Sequence, residues 1–278
     1  MVSLILFLLF VLLSGLFASR GLAYEGDIDF AYMGGAYAME KAGMEQELFS
    51  KFVELLLKNV GIGSHKEVKV KNFIDEKELY AVMKKGRVVM AGVSHFFFKD
   101  HEAELGLVPL AVPLIDGSPY QGYRLVARTD ASHISFDKLD QKRIAVPSYT
   151  QQWYLNVLLT DDWPKQFHLV KFPDMMSVIM AVIYRKVDAG ICPEYYLARL
   201  FAIQPSYKQN LKIIGQTKSM LMPPLVFQKG RLSTEESQRI IEALERAHED
   251  PEMKSLLDLI GFDGIKKVSR EEILRVIK

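Results

Sequence analysis

The chain has 278 residues, of which 49% are hydrophobic and 25% charged, a composition ordinary for a globular protein with one large domain or two lobes. The net charge of +1 gives no basic excess, so we expect no nucleic-acid partner. Cys192 is the single cysteine, which excludes an intramolecular disulfide. The sequence has no HExxH, CxxC or EF-hand pattern, so we predict no metal and no cofactor.

The first 23 residues are predicted to be a secretory signal peptide. The run is apolar through Ala18 apart from two serines, and the small residues Gly21 and Ala23 precede a possible cleavage site before Tyr24. The start of the run has no lysine or arginine, and about 18 apolar residues can just span a bilayer. An uncleaved membrane anchor is therefore the alternative to cleavage and export.

Strand and helix patterns alternate after this segment. IDFAYMG is predicted to be a strand, EQELFSKFVELLLKNVG an amphipathic helix, and KEVKVKNFI a second strand. Asp75 is expected to cap the helix EKELYAVMKKG. RVVMAGVS is predicted to be a strand, and its unbroken apolar core is typical of a parallel strand covered on both faces. The proline-containing stretch LVPLAVPLIDGSPYQG is expected to be a connection into the alternating strand YRLVAR.

The pattern continues in the second half. We predict a helical turn at SFDKLD, strands at RIAVPS, FHLVKF and VDAGIC, and helices at TQQWYLNVLLT, PDMMSVIMAVIYRK and PEYYLARLFA. LKIIGQT and PPLVFQKG are further strands. The tail is expected to be helical, with capping boxes at Ser233/Glu236 and Ser269/Glu272.

This order predicts an α/β fold with two lobes. We place lobe 1 at residues 24–119, completed by 217–278, and lobe 2 at 120–216. Two crossings, near 110–128 and 211–228, would link the lobes as hinges on either side of a central cleft.

Uncharged polar residues stand at one predicted strand-to-helix junction. Ser148, Tyr149, Thr150 and Gln151 follow the strand RIAVP and open the next helix. Free N–H groups and the helix dipole favour an anion there, and hydroxyls add donors without a fixed charge. Plain capping of the helix by Ser148 or Thr150 is the alternative.

Other candidates follow other predicted strands. Tyr32 and Gly34 end the first strand, where glycine lets a ligand approach the backbone and a tyrosine could stack or donate. A tight turn would explain the glycine equally well. Ser94 and His95 follow the strand RVVMAGV, at the edge where open α/β sheets bind ligands. An imidazole could hold an oxyanion, and an ordinary surface histidine is the alternative.

Cys192 and Glu194 end the strand VDAGIC. A thiol beside a carboxylate could indicate covalent catalysis, but no histidine adjoins them, and a free cysteine is commonly a small buried hydrophobe. Glu194 could instead contact a ligand, and its carboxylate would suit a non-anionic or amine-bearing cargo.

Three stretches in this order resemble the phosphate/phosphonate-binding group of ABC-importer substrate-binding proteins, which have the type 2 periplasmic-binding-protein fold. They are KKGRVVMAGVSHFFF, YRLVARTDASHISFDKLDQKRIAVPSYTQQWYL and VIYRKVDAGICPEYY. The sequence departs from the family at three places. Residues 148–151 replace a frequent Ser-Thr-Ser-Gly, Phe172-Pro173-Asp174 stands where the family has a histidine, and the family acid falls on Pro193, one residue before Glu194.

The resemblance implies an exported periplasmic binding protein that captures a small, anionic ligand in an interlobe cleft and delivers it to an ABC permease. Its ligand contacts would be the residues named above together with Tyr123 in the hinge strand, and it would act as a monomer. Two alternatives are an enzyme on the same fold that uses Cys192, and a membrane-tethered sensory domain that keeps its N-terminal helix.

Overall fold

A computed structural model of the protein describes residues 28–33, 42–62, 67–73, 75–147 and 167–276. No helix in these ranges has the length and apolar character needed to cross a membrane. In chain order the elements are β1 (Ile28–Met33), α1 (Ala42–Asn59), β2 (Val70–Phe73), α2 (Glu76–Lys84), β3 (Val88–Gly92), α3 (His95–Leu105), β4 (Leu107–Leu114), β5 (Tyr120–Gln121), β6 (Tyr123–Arg128), a 3-10 turn (Phe136–Lys138), β7 (Arg143–Pro147), β8 (His168–Phe172), α4 (Met175–Ile183), β9 (Ala189–Pro193), α5 (Glu194–Ile203), α6 (Pro205–Asn210), β10 (Leu211–Gln216), β11 (Met220–Leu221), β12 (Leu225–Gln228), α7 (Thr234–Glu245), α8 (Pro251–Ile260), β13 (Gly264–Lys267) and α9 (Arg270–Arg275).

The strands form two large sheets and one small one. Six strands pair in the order β13-β4-β12-β3-β1-β2, with β1 parallel to both β2 and β3. Five strands pair in the order β10-β6-β9-β7-β8, with β7 parallel to both β8 and β9. We call the six-stranded sheet and its helices the first lobe, the five-stranded sheet and its helices the second lobe, and the antiparallel pair of β5 and β11 the ribbon.

Each lobe has its own apolar interior. In the first lobe one continuous core runs from fully buried sheet and helix residues such as Leu79 and Leu110 to Met253 and Ile273 of the tail helices. In the second lobe apolar clusters cover both faces of the sheet, one around Val178 and the other around Ile144. Strand β3 is buried along its whole length, as its unbroken apolar core predicted, whereas β8 at the edge of the second sheet has no buried residue.

The helix starts follow from the capping residues that the sequence predicted. Asp75 accepts a hydrogen bond from the Lys77 N–H at the start of α2. Both predicted capping boxes are present, at Ser233 with Glu236 and at Ser269 with Glu272. The predictions of these boundaries are confirmed.

Several elements differ from the sequence-based expectation. The tail is not helical throughout, because strand β13 lies between α8 and α9 and pairs with β4. The stretch LVPLAVPL is not a connection but strand β4, which lies between β12 and β13, because burial of its apolar side chains outweighs the backbone N–H groups that Pro109 and Pro113 lack. Helix α3 was not predicted. Ser94 caps its first turn and Gly106, at φ +61°, ends it in the left-handed region that glycine tolerates.

Candidate functional site

The carboxyl ends of the two central parallel strands converge on the chain segments that link the lobes. Beyond β3, the Val93 N–H donates to the Pro224 carbonyl at 3.0 Å. Beyond β9, the Glu194 N–H donates to the Gly122 carbonyl at 3.0 Å. Gly122 directly follows β5 and Pro224 lies three residues beyond β11, so both strand ends adjoin the ribbon. Open α/β sheets bind ligands at such carboxyl ends.

Ser94 has its hydroxyl fully engaged at the end of β3. The oxygen accepts a hydrogen bond from the Phe97 N–H at 3.0 Å, and the hydroxyl donates to Glu76 Oε1 at 2.9 Å. Ser94 therefore caps α3 and holds a carboxylate of α2 in place. A ligand contact at Ser94 remains a prediction, since the capping role explains its position by itself.

His95 is enclosed where β3 meets the second crossing. Its side chain is only 2% exposed, which makes the alternative of an ordinary surface histidine wrong. Burial lowers the pKa of His95 to about 4, against the opposing effect of hydrogen bonds to the backbone of Met222 and Leu221. The imidazole is therefore neutral near pH 7, and it can hold a ligand only as a neutral hydrogen-bonding group.

Glu194 forms a charged cluster at the end of β9 that the sequence analysis missed. The Arg124 guanidinium donates to the Glu194 carboxylate and to the Gln216 side-chain carbonyl. A Cβ atom at Gly122 would lie 3.5 Å from Glu194 Oε2 and 3.4 Å from the Ser219 hydroxyl, so this carboxylate lies against the crossing. The Glu194 side chain is 49% exposed, which leaves part of the carboxylate open to solvent.

The pairing with Arg124 changes what Glu194 can do. A carboxylate already held by a guanidinium is a weaker partner for an ammonium group on a ligand. The signal that could have pointed to Arg124 was a basic residue near the start of the hinge strand, on the side that faces the predicted cleft. Its partners, however, lie 70 and 92 residues away in sequence.

The two candidate tyrosines have different surroundings. Tyr123 begins β6 beside the crossing, where its N–H donates to Thr217 Oγ1 at 3.0 Å and its carbonyl accepts from the Thr217 N–H at 3.0 Å. Tyr32 is fully buried in the first lobe, and its ring packs against Phe49 with the centroids 4.9 Å apart. Tyr32 thus has the surroundings of a core residue, whereas Tyr123 lies at the junction of the lobes.

The remaining candidates, Gly34, Ser148, Tyr149, Thr150 and Gln151, lie outside the described residues. The strands that precede them are described: β1 ends at Met33 and β7 ends at Pro147. Each is a neighbour of a strand whose carboxyl end adjoins the ribbon, since β1 pairs with β3 and β7 pairs with β9.

Cys192 lacks the properties of a nucleophile. Its side chain is fully buried, its Sγ is 3.6 Å from the Pro193 carbonyl, and burial raises the pKa of the thiol, which disfavours the reactive thiolate. Elsewhere in the described ranges, no three or more His, Cys, Asp or Glu side chains are grouped as metal ligands would be.

Solved structures with this architecture are numerous. PhnD1 from Prochlorococcus marinus, in complex with methylphosphonate, matches with a TM-score of 0.66 and 14% identity over 90% of this chain and 96% of that chain. A binding protein component of an ABC phosphonate transporter from Pseudomonas aeruginosa matches with a TM-score of 0.67 and 15% identity over 90% of this chain and 84% of that chain. XAC2383 from Xanthomonas citri, bound to chloride ion, matches with a TM-score of 0.67 and 15% identity over 90% and 95% of the two chains.

At these identities the structural similarity establishes the fold, which is the two-lobed type 2 periplasmic-binding-protein fold that the sequence predicted. No curated protein matches the sequence. The family is established by a sequence model of the ABC transporter phosphonate periplasmic substrate-binding proteins, which matches residues 34–273. The chain therefore belongs to that family, and it is a solute-binding protein rather than an enzyme.

Proposed function

We propose that this protein captures a small oxyanion of the phosphate or phosphonate class between its two lobes and delivers it to the permease of an ABC importer. Family membership supplies the role of periplasmic solute binding for an importer. The class of the ligand and the residues that contact it are what we propose in addition. The observation that carries it is the meeting of the carboxyl ends of β3 and β9 at the crossings between the lobes.

Two physical features favour an anion held by neutral groups. His95 is uncharged near neutral pH, and Arg124 is neutralised by Glu194, so no unpaired charge is evident among the described candidate residues. The hydroxyls predicted to follow β7 would donate hydrogen bonds to an oxyanion without a fixed counter-charge, as suits a carrier that must release its cargo. Methylphosphonate, which the Prochlorococcus protein binds, is a suitable first probe.

Substitutions at the helix start after β7 test the contacts. Ser148→Ala and Thr150→Ala should each weaken methylphosphonate binding by roughly 10- to 150-fold in calorimetric titration, the loss of about 1.5–3 kcal/mol for a hydrogen bond to a charged group. Ser233→Ala is the matched control, because Ser233 caps α7 of the first lobe. It should lower stability by about 0.5–2 kcal/mol and leave affinity unchanged. If Ser148→Ala lowers stability but leaves methylphosphonate affinity unchanged, as expected of Ser233→Ala, the proposed ligand contacts are refuted.

We also propose that the mature protein begins at Tyr24 and acts as a free monomer in the periplasm. The tethered sensory domain differs in keeping residues 1–23. Mass spectrometry of the protein released from the periplasm tells whether residues 1–23 have been removed. Light scattering of the same sample tells whether it is a monomer. A protein that stays with the membrane and begins at Met1 would favour the sensor.

A further inference from the structure

Outside the ribbon, a side-chain hydrogen bond joins the two lobes. Arg199 of α5, in the second lobe, donates from Nη2 to the carbonyl of Gly261, which ends α8 of the first lobe, at 2.8 Å. The guanidinium fits this place closely, because a Cβ atom at Gly261 would collide with Arg199 Nη1. Tyr195, one turn earlier on α5, packs against apolar residues of both lobes, and its ring centroid lies 5.9 Å from the guanidinium carbon. We call these three residues the interlobe contact.

The interlobe contact lies on the far side of the crossings from the candidate ligand residues. In the first sheet, the crossing strands β4 and β12 stand between β13, which follows Gly261, and the strands β3 and β1, which the candidates follow. In the second sheet, the crossing strands β10 and β6 form one edge, with β9 and β7 inward of them. Helix α5 leads from β9 back across β6 toward β10, since its Leu200 shares a buried cluster with Val126 and Leu211 of those two strands.

The two sides of the crossings move in opposite senses when the lobes rotate about the ribbon. As the carboxyl ends of β3 and β9 approach each other, the end of α8 and the exposed face of α5 move apart. Closure of the cleft therefore breaks the bond between Arg199 and Gly261.

We infer that the interlobe contact is a latch that holds the cleft open, so that a ligand must release Arg199 from Gly261 in order to be enclosed. This inference rests on the proposed function, which places the ligand between the lobes. Release of the latch opposes binding, so the affinity is lower than the contacts inside the cleft would give in a protein that closes freely.

Distances between the lobes test the latch without any ligand. Lys77 of α2 and Lys171 of β8 are exposed, and they belong to the ends of the two lobes farthest from the crossings. Each can be replaced by cysteine and spin-labelled, while the buried Cys192 stays unlabelled. In the ligand-free protein, Arg199→Leu should raise the ratio of short to long label distances by roughly 2- to 10-fold, the equivalent of one lost hydrogen bond.

Arg239→Leu is the matched control. Arg239 also donates its guanidinium to a carbonyl at a helix end, that of Val60 at 2.9 Å, but both residues belong to the first lobe. The substitution should leave the label distances as they are in the wild type.

Calorimetric titration with methylphosphonate supplies the second measurement. Arg199→Leu should bind it roughly 2- to 10-fold more tightly than the wild type, whereas Arg239→Leu should match the wild type. Gly261→Ala displaces the same guanidinium from the other lobe, and it should change the affinity in the same direction as Arg199→Leu.

Unchanged distances and affinity in Arg199→Leu, or weaker binding by a folded Arg199→Leu, overturn the inference and leave the oxyanion proposal standing. If the wild type does not bind methylphosphonate, the proposed ligand fails, and the distances in the ligand-free variants alone decide whether the latch exists. If Arg199→Leu does not fold, Gly261→Ala decides the question by the same two measurements.

Discussion

Acid should destabilise this protein through His95. The pKa of the buried ring is about 4, whereas a histidine in an unfolded chain titrates near 6.5. Between these two pH values the unfolded chain binds a proton that the folded protein does not. The free energy of unfolding contributed by His95 is therefore fully present above about pH 6.5 and is lost as the pH falls toward 4.

The size of the effect follows from the gap between the two pKa values. At 1.36 kcal/mol per pH unit, the separation of about 6.5 and about 4 corresponds to about 3 kcal/mol. That is a large fraction of the 5–15 kcal/mol that typically separates folded from unfolded protein. Urea unfolding at a series of pH values between about 7 and about 4 measures it directly.

A substitution isolates the contribution of His95 from that of carboxylates, which also destabilise proteins in acid. In His95→Leu the stability should fall by about 3 kcal/mol less than in the wild type over the same pH range. His101→Leu removes a half-buried histidine of the same helix and should keep most of the wild-type slope. A slope in His95→Leu equal to that of the wild type would refute the assignment of a depressed pKa to this ring.

Three further predictions concern other parts of the chain. Cys192→Ala should keep ligand binding and lose about 1 kcal/mol of stability, measured by titration and thermal melts, because the thiol is a buried packing group. Gly261→Ala should lower the free energy of unfolding by about 1–2 kcal/mol because alanine is strained at its φ of +95°, and by a further ~1 kcal/mol because the new Cβ would displace the Arg199 guanidinium from the Gly261 carbonyl. Gly230→Ala is the control, since Gly230 has a φ of +86° and no atom near the new Cβ, and it should show the backbone cost alone in the same thermal melts. Amino-terminal sequencing of exported protein should begin at or near Tyr24, and a start at Met1 would support the anchor.

The sequence predicted most elements that carry a local signal. The helices with capping boxes and the strands with unbroken apolar runs lie close to their expected bounds, because caps and periodicity act within a few residues. Helix α3 escaped prediction since HFFFKDHEAEL begins with consecutive aromatic residues rather than an amphipathic repeat. Strand β13 has only four residues, and its pairing with β4 is a tertiary contact that no short segment encodes.

The same distinction between local signals and tertiary contacts applies to the candidate site. The strand-end rule led from sequence to Ser94, His95 and Glu194, because it needs only the order of strands. It could not show that the Ser94 hydroxyl is engaged by Glu76 or that Arg124 holds Glu194, since those pairs join distant segments. Whether His95 is charged was likewise undetermined, because a histidine's pKa depends on the burial that only the folded chain provides.

The anchoring of the crossings predicts where the lobes would rotate relative to each other. The second crossing is held to the first lobe by the Val93 hydrogen bond to Pro224. Both crossings are held to the second lobe by the Glu194 bond to Gly122 and the paired bonds of Tyr123 with Thr217.

Between these two sets of anchors lies the ribbon, whose register joins Met220 with Gln121 and Leu221 with Tyr120. A short antiparallel pair with a lobe fixed at each end is the segment that can absorb a rotation without disturbing either core. Outside it, Arg199 of α5 donates to the Gly261 carbonyl at the end of α8, so a rotation about the ribbon also changes this interlobe bond. Because α5 begins at Glu194, movement at the ribbon and the geometry at the end of β9 are mechanically linked.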